Sequence, residues 1–165
     1  MKTIILSILF CIVFRGYGFG QEEPSLPDSV CMAWWNGLDD EWQRYFMEKD
    51  SLTKPIDAAD FDSIRRKTTS IDLHEYVIYD LNPLRALSGQ LQVIDCSRSP
   101  LLSLEPLRGM NNLITFICDS VSSLRSIEPI IALPKLVAVK LIKTQIPSDE
   151  LKKLRARKEV TLQFK

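Results

Sequence analysis

The chain has 165 residues, 45% of them hydrophobic, and its 21 basic and 21 acidic side chains cancel to a formal net charge of zero. This size and composition predict one small folded domain and argue against wholesale disorder. Because the charge is balanced, the composition also argues against a dedicated binder of nucleic acid or other polyanions.

Residues 1–20 are typical of a secretory signal peptide. The apolar run at 4–14 is too short to span about 30 Å of hydrocarbon. Gly18 and Gly20 supply the small residues that a signal peptidase requires before Gln21. We therefore expect a periplasmic, cell-surface or secreted protein with no membrane insertion after cleavage; an uncleaved anchor is the alternative.

The next two segments are predicted to be a flexible leader, residues 21–33, and an N-terminal helical cap, residues 34–66. Asp39 and Asp57 are the predicted N-caps of two helices in the second segment. Helical spacing turns six apolar residues inward: Leu38, Trp42, Tyr45, Phe46, Phe61 and Ile64. The aromatic cluster is interpreted as the core of this cap, with a ligand platform as the alternative.

An internal repeat occupies the remainder, residues 67–165. A unit of Leu or Ile, any residue, Pro, and Leu or Ile recurs every 23 residues, at 81–84, 104–107 and 127–130. Each unit is followed by an LxxLxL run, at 91–96, 113–118 and 136–141, and a degenerate first strand is predicted around Ile71 and Leu73. Turns of this kind bury their apolar faces only by stacking into a parallel sheet, with strands about 4.8 Å apart.

This pattern resembles the leucine-rich repeat family, specifically its short-repeat, internalin-like type, from about Thr68 to Ile146. The resemblance implies an α/β solenoid with a curved parallel sheet of four to five strands. It also implies a protein-binding scaffold without chemistry of its own. Such repeats usually place Asn after each strand; here Tyr76, Ser99 and Thr144 stand there, so hydroxyls or water must satisfy the backbone.

The end of the chain predicts a C-terminal cap made of a helix and a strand. Ser148 is the predicted N-cap of the helix, and Val160, Leu162 and Phe164 alternate as a closing strand. Charge is also concentrated at the ends, with 3 basic and 11 acidic residues over 21–64 against 8 basic and 3 acidic over 140–165. These opposite ends allow an alternative role as a structural or weakly self-associating surface protein.

Three cysteines remain after the predicted cleavage. Cys96 and Cys118 hold the same inward place in consecutive strands, close enough for a disulfide but side by side, so bridging would strain it. Buried thiols are therefore preferred. Cys31, beside the predicted leader, is expected to be free or to couple two chains. No spacing indicates a metal site, and no cofactor is expected.

No motif predicts catalysis. His74, Ser97 and Asp119 fall in one outward row, but a catalytic relay needs the imidazole between the serine and the acid. Here the serine lies between the other two. We therefore predict a protein without enzymatic activity.

The outward positions of the strands are the candidate binding site, because side chains alternate across a strand and the core takes one set. The predicted ligand-binding residues of this concave face are Asp72, His74, Val93, Asp95, Thr115, Ile117, Asp119 and Lys140. Asp72 beside Asp95 predicts a protein or peptide ligand with a basic group, and Ile117 predicts an apolar contact. A solvated polar face is the alternative.

Overall fold

The structure is a computed structural model that describes residues 27–52 and 56–164. Three helices precede a five-stranded sheet, in which all strands are parallel and follow one another in chain order. The predicted signal peptide at 1–20 and residues 21–26 of the predicted leader lie outside the described residues. No helix within the described ranges has the length and apolar character to cross a membrane.

The three N-terminal helices are α1 (Asp28–Asn36), α2 (Asp40–Lys49) and α3 (Ala58–Lys67). Both predicted N-caps are confirmed: the Asp39 carboxylate accepts the amide N–H of Trp42 at 2.9 Å, and Asp57 forms a reciprocal capping box with Asp60. Each cap satisfies a backbone N–H that the first helical turn leaves without a partner.

Helix α1 occupies residues 28–33, which the sequence analysis placed in the leader. Cys31 and Trp35, one helical turn apart, are only 1% and 7% exposed. The expectation that Cys31 lies in a flexible segment is therefore corrected, and its buried thiol does not lie on the surface where it could couple two chains. For residues 28–33 the leader prediction is wrong, because two buried residues in the sequence are too few to show a helical period.

Aromatic packing and two indole hydrogen bonds attach these helices to the first repeat. The ring centroids of Trp34 and Phe61 lie 4.6 Å apart, and Trp42 stacks on a neighbouring ring. The indole N–H of Trp34 donates to the carbonyl of Pro83 at 3.1 Å, and that of Trp42 donates to the carbonyl of Asp80 at 2.9 Å. The aromatic cluster thus packs as core, and two of its indole N–H groups are satisfied by the adjoining repeat.

The repeats alternate strands with short helical segments. The strands are β1 (Ser70–Asp72), β2 (Val93–Asp95), β3 (Thr115–Ile117), β4 (Ala138–Leu141) and β5 (Thr161–Phe164). The connections contain 3₁₀ helices at Asn82–Leu87 and Glu105–Leu107, and helix α4 at Glu128–Ile131. Each repeated proline lies in the first turn of its segment, where a missing backbone N–H removes no hydrogen bond.

One continuous core runs beneath the sheet. Ile94, Phe116 and Val139 are paired in register across three strands, and they are at most 2% exposed. Leu91 and Leu113, which begin the LxxLxL runs, are 0% exposed. The inward half of the repeat pattern is confirmed, because each strand covers the apolar residues of the next.

At the other end, helix α5 (Ser148–Arg155) precedes β5, and the predicted closing strand is confirmed by its parallel pairing with β4. The predicted N-cap is wrong. Pro147 holds that position, and no side chain caps the helix. Instead, the Glu150 carboxylate accepts the amide N–H of Ile127 at 2.6 Å and the hydroxyl of Ser126, which links α5 to the preceding repeat.

Hydroxyl groups replace the asparagine ladder only in part. Thr144 donates from Oγ1 to the carbonyl of Leu141 at 3.0 Å. Tyr76 instead donates from its hydroxyl to Glu48, at 2.6 Å. The Ser99 hydroxyl is buried and has no hydrogen-bond partner among the described residues. These three turns therefore differ in whether, and to which partner, a hydroxyl replaces the hydrogen bonds of the missing asparagine.

Candidate functional site

The outward strand residues lie in register on one face of the sheet, which we call the open face. Its first row is Ser70, Val93, Thr115 and Ala138, and its second row is Asp72, Asp95, Ile117 and Lys140. Strand β5 extends these rows with Thr161 and Gln163, which the sequence analysis did not include. The alternation of Val160, Leu162 and Phe164 could have shown that the residues between them face outward.

The two neighbouring carboxylates on this face are satisfied within the chain. Asp72 accepts the amide N–H of His74 at 3.2 Å, and the ring Nδ1 of His74 lies 2.6 Å from the same oxygen. Asp95 accepts the amide N–H of Ser97 at 2.9 Å. Burial acts to raise the pKa of Asp72, but its hydrogen bonds with His74 outweigh burial and lower the pKa. A basic ligand is thus not required to relieve this pair.

The third outward row does not form a catalytic relay. The His74 ring contacts Asp72, whereas the Ser97 hydroxyl accepts the amide N–H of Asp119 at 3.1 Å. The Asp119 carboxylate in turn accepts the amide N–H of Ile142 at 2.9 Å. These bonds join consecutive turns of the chain, so the polar side chains of the row act as structural links.

The middle of the open face exposes mainly carbon atoms, although polar side chains surround it. A shallow groove is lined by Thr115, Ile117, Ala138, Lys140, Thr161 and Gln163. Lys140 forms an ion pair with Asp119, so its charge is matched within the chain. Ile117 is half-buried between Asp95 and Lys140 in the second row.

A second set of residues, which the sequence analysis missed, follows the strand ends. Arg98, Ser120 and Lys143 adopt left-handed backbone conformations, with φ of 65°, 58° and 56°. The amide N–H of Arg98 donates to the carbonyl of Asp119 at 2.9 Å, and that of Ser120 donates to the carbonyl of Ile142 at 2.7 Å. No Gly or Asn marks these positions, so the sequence carried no local signal for the conformation.

The inward cysteines of β2 and β3 are buried thiols, as the sequence analysis preferred. Cys96 and Cys118 are both 0% exposed, and the Cys96 thiol lies 3.4 Å from the carbonyl of Ile117. Burial raises the pKa of Cys96 well above its ordinary value, so this thiol stays protonated and unreactive. Within the part of the chain that the structure describes, no cluster of His, Cys, Asp or Glu could hold a metal ion.

Comparisons with known proteins matched this chain to solved structures. No protein-family model matches the chain, and no curated protein matches it. Solved structures with matching chains include internalin C2 from Listeria monocytogenes, at 25% sequence identity and a TM-score of 0.47. The match covers 53% of this chain and 38% of the internalin chain.

The class of the fold follows from this chain's own residues. The repeated LxxLxL runs supply the strands of a parallel sheet, and the repeated prolines start the connections. This is an α/β repeat fold of the leucine-rich repeat kind.

Proposed function

We propose that the protein is an exported, non-enzymatic module that binds a protein ligand on its open face. The main support for this proposal is the in-register row of Asp95, the half-buried Ile117 and Lys140. Its opposite face is filled by the core, so this face alone presents side chains of the central strands to a ligand. Export rests on residues 1–20, which lie outside the described residues.

The chemistry of the face supports binding rather than catalysis. A nucleophile needs a base within hydrogen-bond reach, and the His74 ring contacts Asp72 instead of Ser97. The Ser97 hydroxyl is engaged by a backbone amide of the next turn. Turnover lost on replacing Ser97 with Ala would contradict this part of the proposal.

The size of the sheet favours an extended ligand. Five strands spaced about 4.8 Å apart span roughly 20 Å, which suits a peptide or a loop. A standard interface of about 800 Å² per partner would exceed this strip. The ligand is therefore an exposed segment of another protein, bound weakly or in several copies.

The test is affinity capture from the exterior compartment with the chain beginning at Gln21. Ile117→Arg places a charge in the apolar groove and should abolish capture of the ligand. Val137→Arg is the matched control, because Val137 is 43% exposed and does not line that groove. Circular dichroism should show both variants folded. Equal capture by the wild type and Ile117→Arg would refute the proposal.

Self-association is the second candidate, favoured by the basic side chains of α5. Lys152 and Lys153 are exposed and have no ion pair within the described residues, whereas Asp39 and Asp40 are exposed at the opposite end of the chain. Sedimentation velocity should then show dimers or longer species at 20 mM salt that dissociate at 500 mM salt, because exposed charges are screened. A monomer at both salt concentrations excludes this role.

A further inference from the structure

An apolar ridge lies on the surface of the first two repeats, beyond the ends of their strands. The two most exposed large apolar side chains of the described residues are Leu102 and Tyr79, at 76% and 66% exposed. Val77, two residues before Tyr79, is 52% exposed and completes the ridge. Single apolar side chains are ordinary on a protein surface, whereas a contiguous group of them marks an interaction site.

The repeat brings Tyr79 and Leu102 side by side. They are 23 residues apart, and each directly follows a fully buried residue, Ile78 and Leu101 respectively. Equivalent residues of successive turns stack at a spacing of about 5 Å, so the two exposed side chains adjoin. Turns also touch at this level one repeat further on, where the Ser123 hydroxyl donates to the carbonyl of Leu101 at 2.6 Å. The ridge is therefore continuous.

A cleft opens beside the ridge, between the N-terminal helices and the first repeat, and we call it the junction cleft. Asp80, the residue after Tyr79, lines this cleft together with Trp34, Asp39 and Pro83. Trp34 is half-buried, and its indole N–H donates to the carbonyl of Pro83 at 3.1 Å, which fixes the ring. A fixed indole ring offers its face to the alkyl stem or the charge of a basic side chain.

The junction cleft carries unmatched negative charge. Among the residues that the structure describes, no basic side chain lines the cleft, and the exposed Asp39, Asp40 and Asp80 make no ion pair. The hydrogen-bond donors to Asp39 and Asp80 are neutral N–H groups of Trp42 and Asn82. These bonds satisfy the carboxylate oxygens and leave both charges in place.

The neighbouring cations do not cancel this charge. Arg44 is shared between Glu41 and Glu48, at 2.6 and 3.7 Å. Arg85 donates to the side-chain oxygen of Asn82 and to a backbone carbonyl of the next repeat. Arg85 thus stands alone against three unpaired carboxylates, and the macrodipole of α2 offsets only about half a charge more. The surplus favours a basic occupant.

We infer that the ridge and the junction cleft together bind a protein segment in which apolar residues are followed by a lysine or an arginine. This goes beyond the proposed function, because the ridge lies outside the open face. The cationic group pairs with Asp39 and Asp80 while its stem packs on Trp34, and the apolar residues cover Tyr79 and Leu102. The negative charge disfavours an anionic membrane as the occupant, since like charges repel.

The experiment uses a fluorescein-labelled octapeptide of glycine and serine with leucines at its third and fifth positions and a lysine at its seventh. Alternate residues of an extended segment face the same side. Fluorescence anisotropy at about 50 mM salt measures its Kd for the chain beginning at Gln21. We expect binding about tenfold tighter than that of the same peptide with glutamate in place of lysine, because low salt preserves the charge interaction. Equal affinity for the two peptides, or no binding of the lysine peptide, overturns the inference.

Serine variants test the ridge. Leu102→Ser and Tyr79→Ser should each weaken binding of the lysine peptide by about fivefold, because they remove the apolar contact. They should leave Tm within about 2 °C of wild type, since both side chains are exposed. Val137→Ser is the matched control, because Val137 is an exposed apolar residue outside the ridge, and its Kd should change less than about twofold. Folded ridge variants that bind as tightly as wild type overturn the inference.

An asparagine variant tests the cleft. Asp80→Asn removes the charge but keeps an oxygen that accepts the amide N–H of Asn82. It should weaken binding of the lysine peptide about threefold and leave unchanged the binding of a peptide with methionine in place of lysine. Asp149→Asn, which neutralises an exposed acid in α5, is the control and should affect neither peptide. An equal effect of Asp80→Asn on both peptides contradicts a pairing with lysine and overturns the inference.

Three further measurements test other occupants of the ridge. Phosphatidylcholine vesicles that sediment with the wild type but not with Leu102→Ser would assign the ridge to a membrane and overturn the inference. A wild-type dimer that dissociates in Leu102→Ser would assign it to a second copy of the chain, with the same consequence. Ile117→Arg should leave peptide binding unchanged; loss of binding there would place the peptide on the open face and overturn the inference. If Ile117→Arg captures the protein ligand normally while the peptide results hold, the proposed function fails and the ridge stands.

Discussion

Replacing Glu150 with alanine tests how α5 is held against the preceding repeat. The Glu150 carboxylate accepts the amide N–H of Ile127 at 2.6 Å and the hydroxyl of Ser126 at 3.0 and 3.1 Å. Ile127 is 0% exposed, so its amide would lose an ionised acceptor with little access to water. A hydrogen bond to a charged group contributes about 1.5–3 kcal/mol, and the Ser126 hydroxyl can turn to another partner. We therefore expect Glu150→Ala to lower the free energy of unfolding by about 2–3 kcal/mol.

Urea unfolding followed by circular dichroism measures this loss, with the slope m unchanged and the midpoint lowered by roughly 1 M. Glu150→Gln keeps an uncharged acceptor and should lose about half as much. Asp149→Ala is the matched control, because Asp149 is exposed in the same helical turn and contributes at most about 1 kcal/mol through the helix dipole. A Glu150→Ala variant within 0.5 kcal/mol of the wild type, or an equal loss in Asp149→Ala, would refute the reasoning.

The Asp72 carboxylate raises the pKa of His74, so Asp72→Asn should move the NMR titration midpoint of His74 downward; an unchanged midpoint would contradict their pairing. The stabilisation from this pair is present below the ordinary histidine pKa and is lost as the pH rises through the raised value. Cys96 and Cys118 should react with a thiol reagent only after unfolding; reaction of the native protein at the same rate would contradict their burial. Ser99→Ala should leave the free energy of unfolding within about 0.5 kcal/mol of the wild type or raise it, because the hydroxyl has no partner; a loss above about 1 kcal/mol would show that the hydroxyl makes a stabilising bond.

The repeat pattern predicted the sheet and most of its register. Leucines and prolines in fixed phase placed β2, β3 and β4, and counting back one repeat placed β1. This worked because each repeat buries the same positions against its neighbours, so one period reports both the fold and the direction of each side chain. Asp39 and Asp57 were predictable for a related reason, since an N-cap depends on residues within one helical turn.

Other features depend on contacts between residues that are far apart in the chain. Ser148 had the residue type of an N-cap, but Pro147 took that position and Glu150 bonded to the neighbouring repeat. From the sequence, Asp72 and Asp95 were interpreted as an unrelieved pair of like charges. In the structure, local backbone amides bond to both carboxylates, and the His74 ring bonds to Asp72. Sequence alone could not show this, because side-chain partners were unknown.

The periodic burial of the leucine-rich segments could therefore be predicted from the sequence, since the same positions are buried in every turn. The pairing of the surface charges could not be predicted, because the partners of each charged side chain come from different turns of the folded chain. Asp119 shows the difference, because only the folded chain brings its carboxylate to the amide of Ile142 and to Lys140 in the next turn.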